Sequence, residues 1–268
     1  MGKRVLAALA SVALVSVLGC CMAFAQEPDA LQSASVITQT KANSSQLSAT
    51  AKKTIYVVKS IGGEKITYNE NGLVAKRTSS YETREYTYSG AKVESISITR
   101  NASSPVKWYL QYDGKNRLKK LTSSGASTYD MYTDVYSYNK KGRVSKIVRS
   151  ETQFGNTTTY KYTSKGYVKS SLSTNGTKCI YGYDKHNNVS AFSMGPASGS
   201  GMTRFVENRY TYKNGRIKQR SQTMNGTGGT ATVSKYTYKK VSVPKKYVAQ
   251  VKKQQRVLVG NPNPSLPL

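Results

Sequence analysis

The chain has 268 residues, with 41 Lys and Arg against 13 Asp and Glu, one histidine and three cysteines. A formal charge of +28 points to polyanionic partners, with an attraction that salt should weaken. A single histidine and so few cysteines leave little material for a metal centre or a nucleophile with its base.

In chain order, Lys3 and Arg4 precede an uncharged apolar run from Val5 to Leu18, and Ala23-Phe24-Ala25 supplies a small-x-small cleavage pattern. Residues 1–25 therefore read as a secretory signal peptide. The run is short for a membrane span, and no other stretch is long and apolar enough for one. Val17-Leu18-Gly19-Cys20 resembles a bacterial lipobox, so a lipid anchor at Cys20 is the alternative product. Either way the predicted localisation is secreted or envelope-associated. Cleavage after Ala25 leaves Cys179 as the one mature cysteine, so packing rather than a disulfide is expected to stabilise the fold. In residues 26–53, Ser, Ala, Thr and Gln fill 17 of 28 positions, the composition of a flexible tether.

The regular part spans residues 54–243. There are 21 tyrosines against four phenylalanines and one tryptophan, Trp108. Tyrosine suits places where the ring is packed and the hydroxyl still reaches a partner. These residues recur in a pattern: a tyrosine, a polar turn, then an aliphatic residue. The copies are Tyr68 to Leu73, Tyr88 to Val93, Tyr112 to Leu118, Tyr136-x-Tyr138 to Val144, Tyr160-x-Tyr162 to Val168, Tyr181-x-Tyr183 to Val189, Tyr210-x-Tyr212 to Ile217, and a truncated Tyr236-x-Tyr238 to Val241. From Tyr68 to Tyr238 there are seven steps of about 24 residues.

Tyrosines at i and i+2 share one face of a strand. Turn residues such as Gly142, Gly166 and Gly215 then allow the chain to reverse. Turn signals every ten to fourteen residues predict an all-β fold: tandem antiparallel hairpins in a long meander sheet, curled so that the tyrosine face is partly enclosed. Val144-x-x-Ile147 and Leu118-x-x-Leu121 break strict alternation. Either a bulge or a sheet covered on both faces would explain them.

The motif Tyr-x-Tyr-(Asp/Asn)-x-x-Gly-(Arg/Lys)-(Val/Leu/Ile) resembles the YD repeat of the RHS-repeat family, over roughly residues 54–241. That resemblance implies a curved β-shell whose repeats are structural rather than catalytic. The Asp of the motif survives at Asp113 and Asp184, with Asn69 and Asn139 as near substitutes. The turn glycine is displaced after Tyr112 and absent after Tyr183. The Asp-Pro cleavage signature of the large toxin-bearing members does not occur. Lys107 to Gly114 is also similar to the hairpin repeats of choline- or glucan-binding wall modules, which use tryptophan in nearly every copy.

No convergent catalytic site is expected. If residues 184–188 form a turn, Cys179 lies roughly 13 Å down the strand from it, too far to pair with His186. No Cys-x-x-Cys, His-rich or Ca-loop pattern occurs, so neither a metal nor another cofactor is predicted.

After Pro244, a short basic helix is expected over Lys245 to Gln255, with Tyr247, Val248 and Val251 on one face. The tail from Asn261 to Leu268 should be extended or disordered. From Arg204 to Arg256 there are 14 basic residues and one acid, Glu207. The candidate binding residues are therefore Lys213, Arg216, Lys218, Arg220, Lys235, Lys239, Lys240, Lys245, Lys246, Lys252, Lys253 and Arg256. The expected function is non-enzymatic binding of an anionic envelope polymer or surface glycan, with only non-specific affinity for nucleic acid. The alternatives are a purely structural shell whose lysines keep strand edges apart, and an aromatic wall-binding module.

Overall fold

The computed structural model describes residues 51–268, except for 102, 128–129, 152–154, 225–229, 261–263, 265 and 267. The predicted signal peptide and most of the predicted tether lie outside the described residues. Two strands precede the first return, β1 (Lys52–Ile61) and β2 (Glu64–Tyr68). Next come β3 (Val74–Thr78), β4 (Glu82–Ser89), β5 (Lys92–Arg100), β6 (Val106–Tyr112), β7 (Leu118–Ser124), β8 (Tyr132–Tyr138) and β9 (Val144–Glu151). The series continues with β10 (Asn156–Tyr162), β11 (Val168–Ser173), β12 (Thr177–Tyr183), β13 (Val189–Pro196), β14 (Thr203–Lys213), β15 (Arg216–Met224) and β16 (Ala231–Pro244). A 3-10 turn (Lys245–Tyr247) then leads into helix α1 (Val248–Leu258).

Every strand pairs antiparallel with the next, and β1 pairs with β16, so the sheet is a closed barrel. The hairpins and the C-terminal helix match the sequence reading, but the predicted curled open meander is corrected: the sheet has no free ends. The truncated last repeat explains why. Its tyrosine strand, β16, has no aliphatic return strand of its own, and β1 supplies one, from Lys52↔Pro244 to Ile61↔Tyr236. The eighth hairpin is thus divided between the two ends of the barrel sequence.

The three-residue spacings are bulges. Tyr68 opposes Val74, Tyr88 opposes Val93, Tyr112 opposes Leu118, and Tyr138 opposes Val144. Tyr162 opposes Val168, Tyr183 opposes Val189, Tyr212 opposes Ile217, and Tyr238 opposes Val58. In each hairpin the pairing then skips the residue after the aliphatic one. That extra residue restores alternation, so Leu118 and Leu121 both point into the barrel, 1% and 3% exposed. The inward face forms buried apolar clusters around Ile96, Ile98 and Leu118 and around Val144, Val168 and Phe192, and it also carries polar groups such as the Arg149–Asp134 ion pair and Asn208. The outward face carries Ser95, Ser97 and Thr99 on β5, Lys120 and Thr122 on β7, and Thr157, Thr159 and Lys161 on β10. The outer wall also exposes apolar side chains, Tyr109 on β6, Val135 on β8, Leu172 on β11 and Ile180 on β12. Among the described residues no helix is long and apolar enough to cross a membrane. Cys179 is fully buried in the barrel wall.

The turns obey a common rule. Oδ1 of Asn69, Asp113, Asn139 and Asp184 accepts the backbone N–H groups two and four residues on. Only a carbonyl-type oxygen is needed, so Asn serves as well as Asp. The fourth residue after the second tyrosine has positive φ in five turns: Gly72, Asn116, Gly142, Gly166 and Asn187. The glycine missing after Tyr112 and Tyr183 has been replaced by asparagine, the side chain that best tolerates this conformation.

At Gly142 an added Cβ would meet nothing within 4 Å, so only the backbone is at stake. Gly142→Ala should cost about 1–2 kcal/mol in urea denaturation, and Gly142→Asn distinctly less. Equal losses would show that the turn conformation does not set the preference.

Candidate functional site: a basic rim

The second tyrosines lie in a ring near one end of the barrel, bonded to the bulges. The hydroxyls of Tyr88, Tyr112, Tyr138, Tyr162 and Tyr183 donate to the carbonyls of Val74, Val93, Leu118, Val144 and Val168 at 2.6–2.9 Å. Tyr238 donates to Ile217 at 2.9 Å, and Tyr68 donates to Val58. Each hydroxyl therefore reaches the bulged carbonyl of the preceding hairpin, and because Val58 belongs to the divided eighth hairpin the ring closes. One link is irregular. At the seventh copy the first tyrosine, Tyr210, bonds Val189 at 2.9 Å. Tyr212 turns instead to the Asp184 carboxylate, accepts Asn188 Nδ2 and stacks against His186, with ring centroids 4.0 Å apart. The first tyrosines Tyr136, Tyr160, Tyr181 and Tyr236 face the lumen one step deeper.

The basic residue before each aliphatic one also acts on the next hairpin. Lys92 lies over Tyr112, Arg117 over Tyr138 at 4.3 Å, and Arg143 over Tyr162. Arg143 also arches over Gly166, where a Cβ would stand 2.6 Å from its Nη2. In the next copy Tyr167 takes the basic residue's place, 5.3 Å from Tyr183. The motif is thus a set of contacts between hairpins, which a reading of single hairpins could not reveal.

This ring divides the barrel into two unlike ends. Its five long turns, residues 69–73, 113–117, 139–143, 163–167 and 184–188, contain Lys115, Arg117, Lys140, Lys141, Arg143, Lys165 and Lys185. Lys92, Lys213 and Arg216 flank its two short turns. The eight connections at the opposite end contain no Lys or Arg and one carboxylate, Asp130. At the basic end, Asp113 is engaged by Arg117 and Asp184 by Tyr212, and Glu70 in the first turn is exposed.

Helix α1 covers the same end. Val251 is buried against Val57, Leu73 and Val243, and Leu258 reaches the main core. Lys245, Lys246 and Lys252 are exposed and Lys253 is half-buried. Of the tail, Leu266 is buried and Leu268 packs on the core.

The twelve predicted binding residues fall into two groups. Lys213, Lys218, Lys235, Lys240, Lys245, Lys246 and Lys252 are exposed. Of the other five, Lys253 is half-buried, Lys239 lies over Tyr68, Arg216 lies 3.6 Å from the Tyr56 ring, and Arg256 lies over Tyr167. Arg220 lies opposite Tyr210 on the inward face, with its Nε buried. The structure does not gather the twelve into one patch; it brings the helix lysines to the rim. The turn lysines from 115 to 185 were missed, because the C-terminal excess of charge drew attention away from position within the repeat. His186 sits in a rim turn and Cys179 in the wall. Among the described residues no group of three or more metal-ligating side chains occurs.

Fold and rim together define a sixteen-stranded closed barrel of tyrosine hairpins whose basic turns lie at one end. No protein-family model matches the chain, and no curated protein matches it either. Solved structures similar in part include a Photorhabdus luminescens Tc holotoxin pore, at 12% identity over 62% of this chain and 9% of that one, TM-score 0.33. Porin-like proteins from Bacteroides vulgatus and Bacteroides uniformis are 14% and 12% identical over 68% and 69% of this chain and 99% and 95% of theirs, with TM-scores of 0.47 and 0.43.

Tyr162→Phe removes only the hydroxyl bond to Val144 and should cost about 1 kcal/mol. Tyr162→Ala also opens a cavity and should cost about 3 kcal/mol, both read from urea midpoints. An unchanged midpoint in the alanine variant would place the ring outside the packed structure.

Burial pushes the Tyr112, Tyr212 and Tyr238 hydroxyls up to about 12. The unfolded chain releases these protons near pH 10, while the barrel holds them to about pH 12. The resulting stability is complete below pH 10 and is lost as the pH rises toward 12. Denaturation midpoints should therefore fall steeply over that window; a flat profile would contradict the burial of the ring.

Proposed function

We propose that this is an exported, non-enzymatic binding protein, a short and degenerate relative of the YD-repeat shells, whose ligand is an anionic polymer of the cell envelope or cell surface. The observation that carries the reading is the charge polarity: seven Lys and Arg in the long turns of one end, and none in the connections of the other. Phosphate- or carboxylate-bearing chains laid on such an end release counterions, so affinity should fall steeply with salt. The tyrosines support this over the aromatic wall-module reading, because their rings are packed and seven of the eight second tyrosines bond a backbone carbonyl of the wall. A purely structural shell is the second reading. It is favoured by the use of Arg117, Arg143 and Arg256 as packing groups.

The test compares binding of a teichoic-acid-type polymer and an uncharged glycan at two salt concentrations. A rim variant, Lys115→Glu, Lys140→Glu, Lys141→Glu and Lys165→Glu together, should lose at least about tenfold in affinity at low salt. A wall variant with the same charge change, at Lys107, Lys119, Lys161 and Lys169, should lose much less. Preference for the uncharged glycan, or equal losses in both variants, would sink the proposal, and absence of polymer binding would favour the shell.

Export has its own readout. Intact mass of the secreted protein should correspond to a chain beginning at Gln26. A diacylglyceryl-modified Cys20 would instead make it a lipoprotein.

A further inference from the structure

Strands β1 and β2 pair only at Ser60↔Lys65 and Ile61↔Glu64, fewer positions than any other neighbouring strands in the described barrel. Beyond those two positions, Gln255 of helix α1 bridges β1 and β2, and the adjacent Gln254 bridges the neighbouring pair β3 and β4. Gln255 Oε1 accepts the Val58 N–H of β1 at 2.7 Å, and its Nε2 donates to the Tyr68 hydroxyl of β2 at 3.2 Å. Gln254 Oε1 accepts the Val74 N–H of β3 at 2.9 Å, and its Nε2 donates to the Tyr88 hydroxyl of β4 at 2.9 Å. Gln254 is fully buried. The carbonyls of Val58 and Val74 are taken by Tyr68 and Tyr88. At both bulges the backbone is therefore satisfied by side chains where a neighbouring strand would otherwise serve. An amide buried at such a site without its partner is costly, so the junction depends on the helix staying docked.

The outer side of the same helix is basic. Lys252 on the helix and Lys245 and Lys246 in the 3-10 turn leading into it are exposed, and the Arg256 guanidinium, 5.1 Å from the Tyr167 ring centre, seats the helix beside the turn that carries Lys165. Docking therefore joins two cationic groups that would separate if the helix lifted away.

We propose that helix α1 is a clasp over the barrel's weakest strand junction, and that an anionic polymer bound across the helix and the rim turns fastens it. This rests on the rim reading above and adds its regulation. A polymer touching both groups of lysines binds the docked state more tightly than the lifted one. By linkage it must draw the equilibrium toward docking, and it can do so only by that difference in affinity. Binding at the surface is thereby read out at two buried amides that the polymer never touches.

Hydrogen exchange at the Val58 and Val74 amides of the full mature chain tests this, with and without long-chain inorganic polyphosphate. Exchange at these two positions should slow by about tenfold when the polymer binds, with no comparable change at the amides of Ile96 and Tyr160. A Lys252→Glu, Lys253→Glu variant leaves the buried glutamines in place. It should keep the unliganded exchange rates and lose most of the protection by polyphosphate. Salt-sensitive binding with no added protection at Val58 and Val74 would overturn the clasp and leave the rim reading intact. Absence of polyphosphate binding would overturn both. Full protection in the lysine variant would show that the helix takes no part in the contact.

Discussion

One hydrogen bond recurs around this barrel and the remaining features follow from it: a tyrosine hydroxyl donating to the carbonyl of a bulged residue in the preceding hairpin. A bulge interrupts the ladder, and the carbonyl of the aliphatic residue just before the skipped position needs a donor other than the partner strand. The phenol supplies the missing donor while its ring fills the space that the bulge opens. Phenylalanine could do only the second of these, which accounts for tyrosine at the bonded positions, such as Tyr88, Tyr112, Tyr138 and Tyr162. Because each bond runs to the hairpin before, none can form in an isolated hairpin. The repeat is stable only as a series, and most stable as a closed one.

Much of this was legible in the amino-acid order. Tyr136-x-Tyr138 and its counterparts mark the strands, Asn139 and Asp184 mark the turns, and the short helix after Pro244 was visible in its apolar spacing. Closure was not legible, because β1 carries no Tyr-x-Tyr signature; it resembles an aliphatic return strand whose hairpin has been cut open. The sense of the three-residue spacings was also hidden, since Leu118 and Leu121 could equally have served a sheet covered on both faces. Gln254 and Gln255 looked like ordinary polar residues on a basic helix. Nothing local shows that their amides complete a backbone nearly two hundred residues away.

The charge was legible in amount but not in arrangement. Counted along the chain, the basic residues crowd toward the C-terminus; arranged on the barrel, those in the connections between strands lie at one end. The two pictures agree only on the helix lysines. Part of the excess is used internally, as Arg117 and Arg143 lie flat on tyrosine rings of the next hairpin, where a delocalised guanidinium packs better than an ammonium. The buried carboxylate Glu82 is treated in the same local way. Burial pushes its carboxyl up, but Arg84 and Arg100 more than offset this and hold it below the ordinary range.

The hairpin divided between β1 and β16 imposes an order on biogenesis. Strand β1 leaves the ribosome first among the sixteen and then waits for a partner about 180 residues downstream. Throughout that interval it is an aliphatic edge, Ile55 to Val58, capable of pairing with any other exposed strand. Lys52, Lys53 and Lys59 bracket this segment, the placement by which charged residues keep an unpaired strand from recruiting its neighbours. Closing the circle makes the finished barrel free of edges. The same topology leaves the growing chain with its most adhesive edge exposed for longest, and makes completion of the last strand the step that ends the hazard.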